Sequence, residues 1–229
     1  MSSNPFASAS PPLASLSRAT ACGLALALLG GPAYIALYRL ITGENHSDAQ
    51  VVLKELGFFV LVAVLLWLVR TREALPLSSI GLRFDRMGRS LLRGCLLAVA
   101  ALVVTVGLYF LLLQFGIHLG GSESFRPSPW VVTLSMLRAG VAEEIFYRGY
   151  AIERLQALTG SQWIAGLVPL ALFAAAHYRQ GLGGIVATFV LGGLLTVFYV
   201  RYRDLIANIT GHFLEDFVLN VGLPLVSGG

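Results

Sequence analysis

The chain has 229 residues, is 56% hydrophobic and only 12% charged, and has a mean hydropathy of +0.77. Soluble domains carry about 25% charged residues, so this balance excludes an ordinary soluble enzyme and points to the membrane class. The formal charge of +4 rests almost wholly on arginine, with Lys54 the only lysine, and no basic stripe interleaved with aromatics is present, which argues against nucleic acid as a partner.

Residues 1–18 are rich in Ser, Pro and Ala and read as a disordered tail. The start is nearly neutral and the apolar run after Arg18 is long, which favours an uncleaved first span over a signal peptide. Seven apolar segments follow, at 19–41, 51–69, 91–117, 130–155, 163–177, 185–200 and 205–226. Each is near the roughly 20 residues that cross a bilayer, the fifth and sixth being short enough for re-entrant or half-helices. The expected fold is all-α, a polytopic transmembrane bundle of about seven spans. Residues 19–75 form two leading transmembrane helices, and 76–229 form the domain that carries the chemistry. Cys22 and Cys95 have no CxxC spacing, which leaves them as small, buried apolar residues.

Between the second and third segments stand Arg70, Arg72, Arg83, Arg86, Arg89 and Arg93. The positive-inside rule makes the 70–93 loop cytoplasmic, and the run 76–82 within it suits the membrane interface. The first loop has Glu44 and Asp48 but neither Lys nor Arg, so it belongs outside. With seven spans the N-terminus lies inside and the C-terminus outside.

Three polar sites interrupt the apolar pattern. The first is Glu143-Glu144-Ile145-Phe146-Tyr147-Arg148. An ionised group at bilayer depth costs several kcal/mol and is kept for a partner or a task. Glu144 and Arg148 are four apart and share a helix face, so they can pair. Glu143 is turned about 100° away, which leaves it available as a general base. A structural ion-pair clamp is the competing explanation, and the adjacent second carboxylate weighs against it. The second site is Phe173-Ala174-Ala175-Ala176-His177, where His177 ends an apolar helix. Alone it would be an interfacial or capping residue. The third places His212 and Asp216 on one face, with Asn208 and Asn220 one turn to either side. Such a stripe lacks partners in hydrocarbon, so it packs on polar groups or lines a wet cavity. Glu215 can reach Arg138 or a helix end.

In order and spacing, these sites resemble the CAAX protease and bacteriocin-processing family (CPBP/Abi, type II CAAX prenyl endopeptidase-like). That family shows Glu-Glu-x-x-x-Arg, then Phe-x-x-x-His, then His-x-x-x-Asn or Asp, on successive helices. Ser79-Ile80-Gly81-Leu82 is similar to its lead-in, and the resemblance spans about 76–220. It implies an intramembrane protease in which Glu143 and His177 activate a water, Glu144 and Arg148 form a supporting pair, and His212 helps stabilise the oxyanion. Asp216 stands where the prenyl-endopeptidase branch has Asn. A carboxylate donates to an oxyanion only when protonated, so Asp216 instead orients His212 or stabilises its charged form.

No Ser or Cys nucleophile stands near a base in these motifs, and HExxH is absent. Glu143, His177 and His212 could supply three ligands to zinc, but a metal-independent glutamate mechanism is the preferred expectation. The expected partners are the lipid bilayer and a membrane-anchored protein or peptide substrate, and the expected location is a bacterial plasma membrane. A catalytically silent scaffold or immunity-type protein is the alternative. A proton-coupled carrier is a third, disfavoured by the lack of an inverted repeat. Helix arithmetic puts His177 far from His212 unless the fifth helix is short, tilted or kinked at Pro169.

Overall fold

The computed structural model describes residues 17–44, 47–118 and 125–227. The expected tail falls on residues outside this set except at its C-terminal end. Among the described residues the chain forms seven helices and no strand. They are α1 (Arg18–Thr42), α2 (Asp48–Arg72), α3 (Met87–Gln114), α4 (129–159), α5 (Gln162–Ala176), α6 (Gly181–Tyr202) and α7 (205–227). α1, α2, α3 and a helix formed by α6 with the turn before it are long and apolar enough to cross a membrane. The fold class and the approximate span count are as expected.

The helix starts follow from local chemistry. Ser17, Ser47, Ser161 and Asp204 each accept from a backbone N–H of the first turn of α1, α2, α5 and α7. These caps satisfy amides that have no partner within the helix.

The helices alternate in direction, which gives the bundle two rims. One rim gathers the start of α1, the 73–86 connection, and the α4–α5 and α6–α7 turns. There Glu73 accepts from Thr20, Tyr150 and Arg154. Asp204 accepts from Ser90 and Arg93. Arg203 pairs with Glu153, which also accepts from Tyr199 at 2.8 Å. Burial first, then the nearby charge of Arg83, push the Arg203 guanidinium below its ordinary pKa. The other rim gathers the first loop, the start of α4 and the α5–α6 turn. Asp48 accepts from Ser128, and Glu44 pairs with Arg179 at 2.8 Å.

The 76–82 run is anchored to the bundle. Leu77–Ile80 is one tight turn, Ile80 is fully buried, and the Gly81 carbonyl accepts from the Leu205 amide. Gly81 has φ +76°, and a Cβ there would meet the Tyr199 hydroxyl at 2.7 Å. α3 packs closely on α7, where Gly94 faces Thr210 and Gly211 faces Leu97. Small residues allow this approach where there is little hydrophobic force between helices. Cys22 and Cys95 are exposed on outer faces of α1 and α3, contrary to the expected burial. In a lipid-facing helix a small apolar side chain has no need of the interior.

Candidate active site

The middle of α4 departs from α-helical geometry. Residues Ala139–Ile152 follow π-type spacing, in which backbone bonds reach five residues rather than four. In an α-helix, residues five apart lie about 140° apart around the axis. Here Arg138 Nη1 donates to Glu143 Oε1 at 2.9 Å, a pair five residues apart that the wider turn brings together. Arg138 Nε also donates to Glu55 of α2, which further accepts from Ser135 and pairs with Lys54. The guanidinium lies 4.5 Å over the Phe58 ring. Glu143 is therefore not a free carboxylate but is held by Arg138.

Glu144 points elsewhere, into the centre of the bundle, and is fully buried. Its Oε1 accepts from Arg148 Nη1 at 2.7 Å, the i,i+4 pair expected from spacing. The same oxygen lies 2.9 Å from His212 Nδ1. Its Oε2 accepts from Asn208 Nδ2 at 3.0 Å, and that amide also donates to the Leu195 carbonyl. Arg148 completes its bonding on the Gly192 carbonyl at 3.1 Å. A carboxylate paired with arginine is an acceptor only, so Nδ1 of His212 carries the proton in this contact. His212 Nε2 faces Asp216 Oδ2 at 3.5 Å. Glu143 lies within electrostatic range of His212, Asp216 and Tyr147.

His177 caps α5, and its Nδ1 lies 2.8 Å from the Phe173 carbonyl. Its ring meets the Phe173 ring edge-on at 4.8 Å, and Phe173 in turn packs on Tyr147 and lies beneath Arg148 at 4.5 Å. Pro169 sits inside α5, a helix of 15 residues. The structure thus joins Glu144, Arg148, His212 and Asp216 by direct contacts, while Glu143, next in the chain to Glu144, contacts Arg138 and acts on His212 and Asp216 only through its charge. His177 connects to the group through Phe173. Among the described residues, no three His, Cys, Asp or Glu side chains stand together where they could hold a metal ion. The ligand set Glu143, His177 and His212 is not assembled in this arrangement.

Residues 125–218 match the family model described as type II CAAX prenyl endopeptidase Rce1-like. The likeness is confined to this segment, less than half of the chain. No curated protein and no solved structure matches the chain. The Rce1-like segment takes in α4, α5, α6 and the first half of α7, and so all six residues singled out by the motifs. The matched family is described as one of prenyl endopeptidases, and α1, α2, α3 and α6 with the turn before it have the length and apolar composition to cross a membrane.

Glu55 lies outside the Rce1-like segment, and sequence reasoning passed it over. It had the same signal as Glu143, an ionisable residue inside an apolar run, but no motif drew attention to it. Arg138 was considered only as a partner for Glu215. Glu215 instead accepts from Thr105 Oγ1 of α3 at 2.6 Å. Asn220, expected to extend the polar stripe, bonds the backbone carbonyl of Asp216.

Proposed function

We propose that this protein is an intramembrane endopeptidase that hydrolyses a peptide bond of a membrane-associated protein or peptide. The observation that carries the reading is the meeting of two motifs at one carboxylate: Glu144 accepts from Arg148 of its own helix and from His212 of α7. Glu144 and Arg148 neutralise each other where neither touches solvent, and together they fix the His212 ring.

In the proposed reaction Glu143 takes a proton from a water. The water oxygen attacks the peptide carbonyl carbon. His212 acts as an imidazolium: Nδ1–H stays on Glu144, Nε2–H donates to the oxyanion, and the Asp216 carboxylate, 3.5 Å from Nε2, stabilises the ring's charge. The C–N bond then breaks, and the proton held by Glu143 passes to the leaving amine. For this Glu143 must loosen from Arg138, which Glu55 retains. His177 lies at the same end of the bundle and would approach the water as substrate enters. Two carboxylates with separate duties are the pattern expected when one group does chemistry and the other holds a partner.

The test is a survey of new peptide termini in membranes from cells producing the wild-type chain or Glu143→Gln. The reading expects termini that vanish with Glu143→Gln while the protein remains folded and equally abundant. Identical termini in both would remove hydrolysis and leave the scaffold.

A further inference from the structure

The polar stripe of α7 becomes progressively more exposed in one direction. Asn208 is fully buried, the His212 side chain is 11% exposed, that of Asp216 is 25% exposed, and Asn220 is open. These residues recur every four positions from the α6–α7 turn toward the chain's end. The same gradient holds on α4, which runs the opposite way. Arg138 and Glu143 are 13% and 18% exposed, whereas Glu144 and Arg148 are 0% and 1%. The site therefore opens toward the rim of the first loop and the α5–α6 turn, and is sealed toward the rim of the 73–86 connection. The seal is built from Glu73, Tyr150, Arg154 and Ser79, with Glu153, Tyr199 and Arg203 beside them.

The two rims differ in arginine. The sealed rim has Arg70, Arg72, Arg83, Arg86, Arg89 and Arg93 around one connection, and Arg201 and Arg203 at another. The open rim has Arg39, Arg126 and Arg179, with Arg39 and Arg179 both drawn to Glu44. Short loops rich in Lys and Arg stay in the cytoplasm. Polar side chains that are left partly exposed need water rather than lipid at the groups they leave open.

We infer that the site is entered from the non-cytoplasmic side. Resting on the peptidase reading, this names the substrate class: an extracytoplasmic segment of an exported or membrane-anchored peptide, not a cytoplasmic C-terminal tail. Two ion-paired clusters pack the cytoplasmic rim, and the cavity lined by Glu153, Gln156, Tyr199 and Arg203 lies against one of them rather than at Glu143.

The experiment uses the full chain with Cys22→Ala and Cys95→Ala, carrying one of Arg86→Cys, Gln180→Cys or Asn220→Cys. A membrane-impermeant sulfonated maleimide is added to intact cells and, separately, to permeabilised cells. N-ethylmaleimide measures total reactive thiol. Gln180→Cys and Asn220→Cys are expected to label in intact cells to the extent seen after permeabilisation, and Arg86→Cys only after permeabilisation. Labelling of Arg86→Cys in intact cells, or protection of Asn220→Cys from the sulfonated reagent while Gln180→Cys reacts, overturns the inference. None of these readouts depends on cleavage. Loss of the hydrolytic reading would leave the orientation standing, and a reversed orientation would leave hydrolysis untouched.

Discussion

Glu144 Oε1 and His212 Nδ1 stand 2.9 Å apart, and Arg148 Nη1 reaches the same oxygen at 2.7 Å. One buried carboxylate thus holds a cation on its own helix and an imidazole from α7. Breaking a buried pair by removing one partner costs about 3–5 kcal/mol, because the other charge is left unanswered. Arg148→Met should therefore lower the melting temperature in detergent by roughly 10 °C, at 2–4 °C per kcal/mol for a chain of this size. Adding Glu144→Gln should restore part of that loss, since the two changes remove one interaction and are not additive. Thermal unfolding of both single variants and the double variant measures the coupling.

Glu55 should matter as much to stability as the motif residues do. It is fully buried and binds Arg138, Ser135 and Lys54. Glu55→Gln takes the charge from beneath Arg138 and should cost about 3–5 kcal/mol. Lys54→Gln removes only a partly exposed partner and should cost about 1 kcal/mol or less. Equal melting temperatures for the two variants would contradict this assignment.

Gly192 leaves room for the Arg148 guanidinium. A Cβ there would stand 3.0 Å from Arg148 Nη2 and 3.0 Å from Leu170 Cδ1, whereas one at Gly193 would find only Leu170 at 3.8 Å. Gly192→Ala should destabilise the protein by about 1–3 kcal/mol through overpacking. It should also reduce cleavage by disturbing the Glu144–His212 contact. Gly193→Ala is the matched control and should leave both stability and cleavage near wild type.

Gly81 joins the 73–86 connection to the start of α7. Its φ of +76° and the 2.7 Å approach of the Tyr199 hydroxyl leave no room for a side chain. Gly81→Ala should cost about 1–3 kcal/mol in backbone strain alone. Limited proteolysis after Arg83 or Arg86 should become faster, because the anchoring bond from Leu205 to the Gly81 carbonyl weakens.

The fold was legible because lipid imposes long apolar runs, and four of those runs became long apolar helices. The Glu144–Arg148 pair was legible because spacing on a helix decides which residues meet. Spacing could not show that α4 widens around Glu143, so the bond from Arg138 to Glu143 was not foreseen. Nor could it show that Glu55 of α2 reaches the same arginine, since contacts between distant helices depend on packing rather than on local period. Glu215 illustrates the same limit: its partner is Thr105 of α3, a residue with no charge to attract notice.

The central claim is that Glu143 and His212 serve one hydrolytic site. The most direct measurement is the set of peptide termini generated in membranes by the wild-type chain, by Glu143→Gln and by His212→Ala, each at matched abundance. The account predicts one group of termini present with the wild type and lost in both variants. Termini that persist in both variants, or no difference between any of the three, would contradict it.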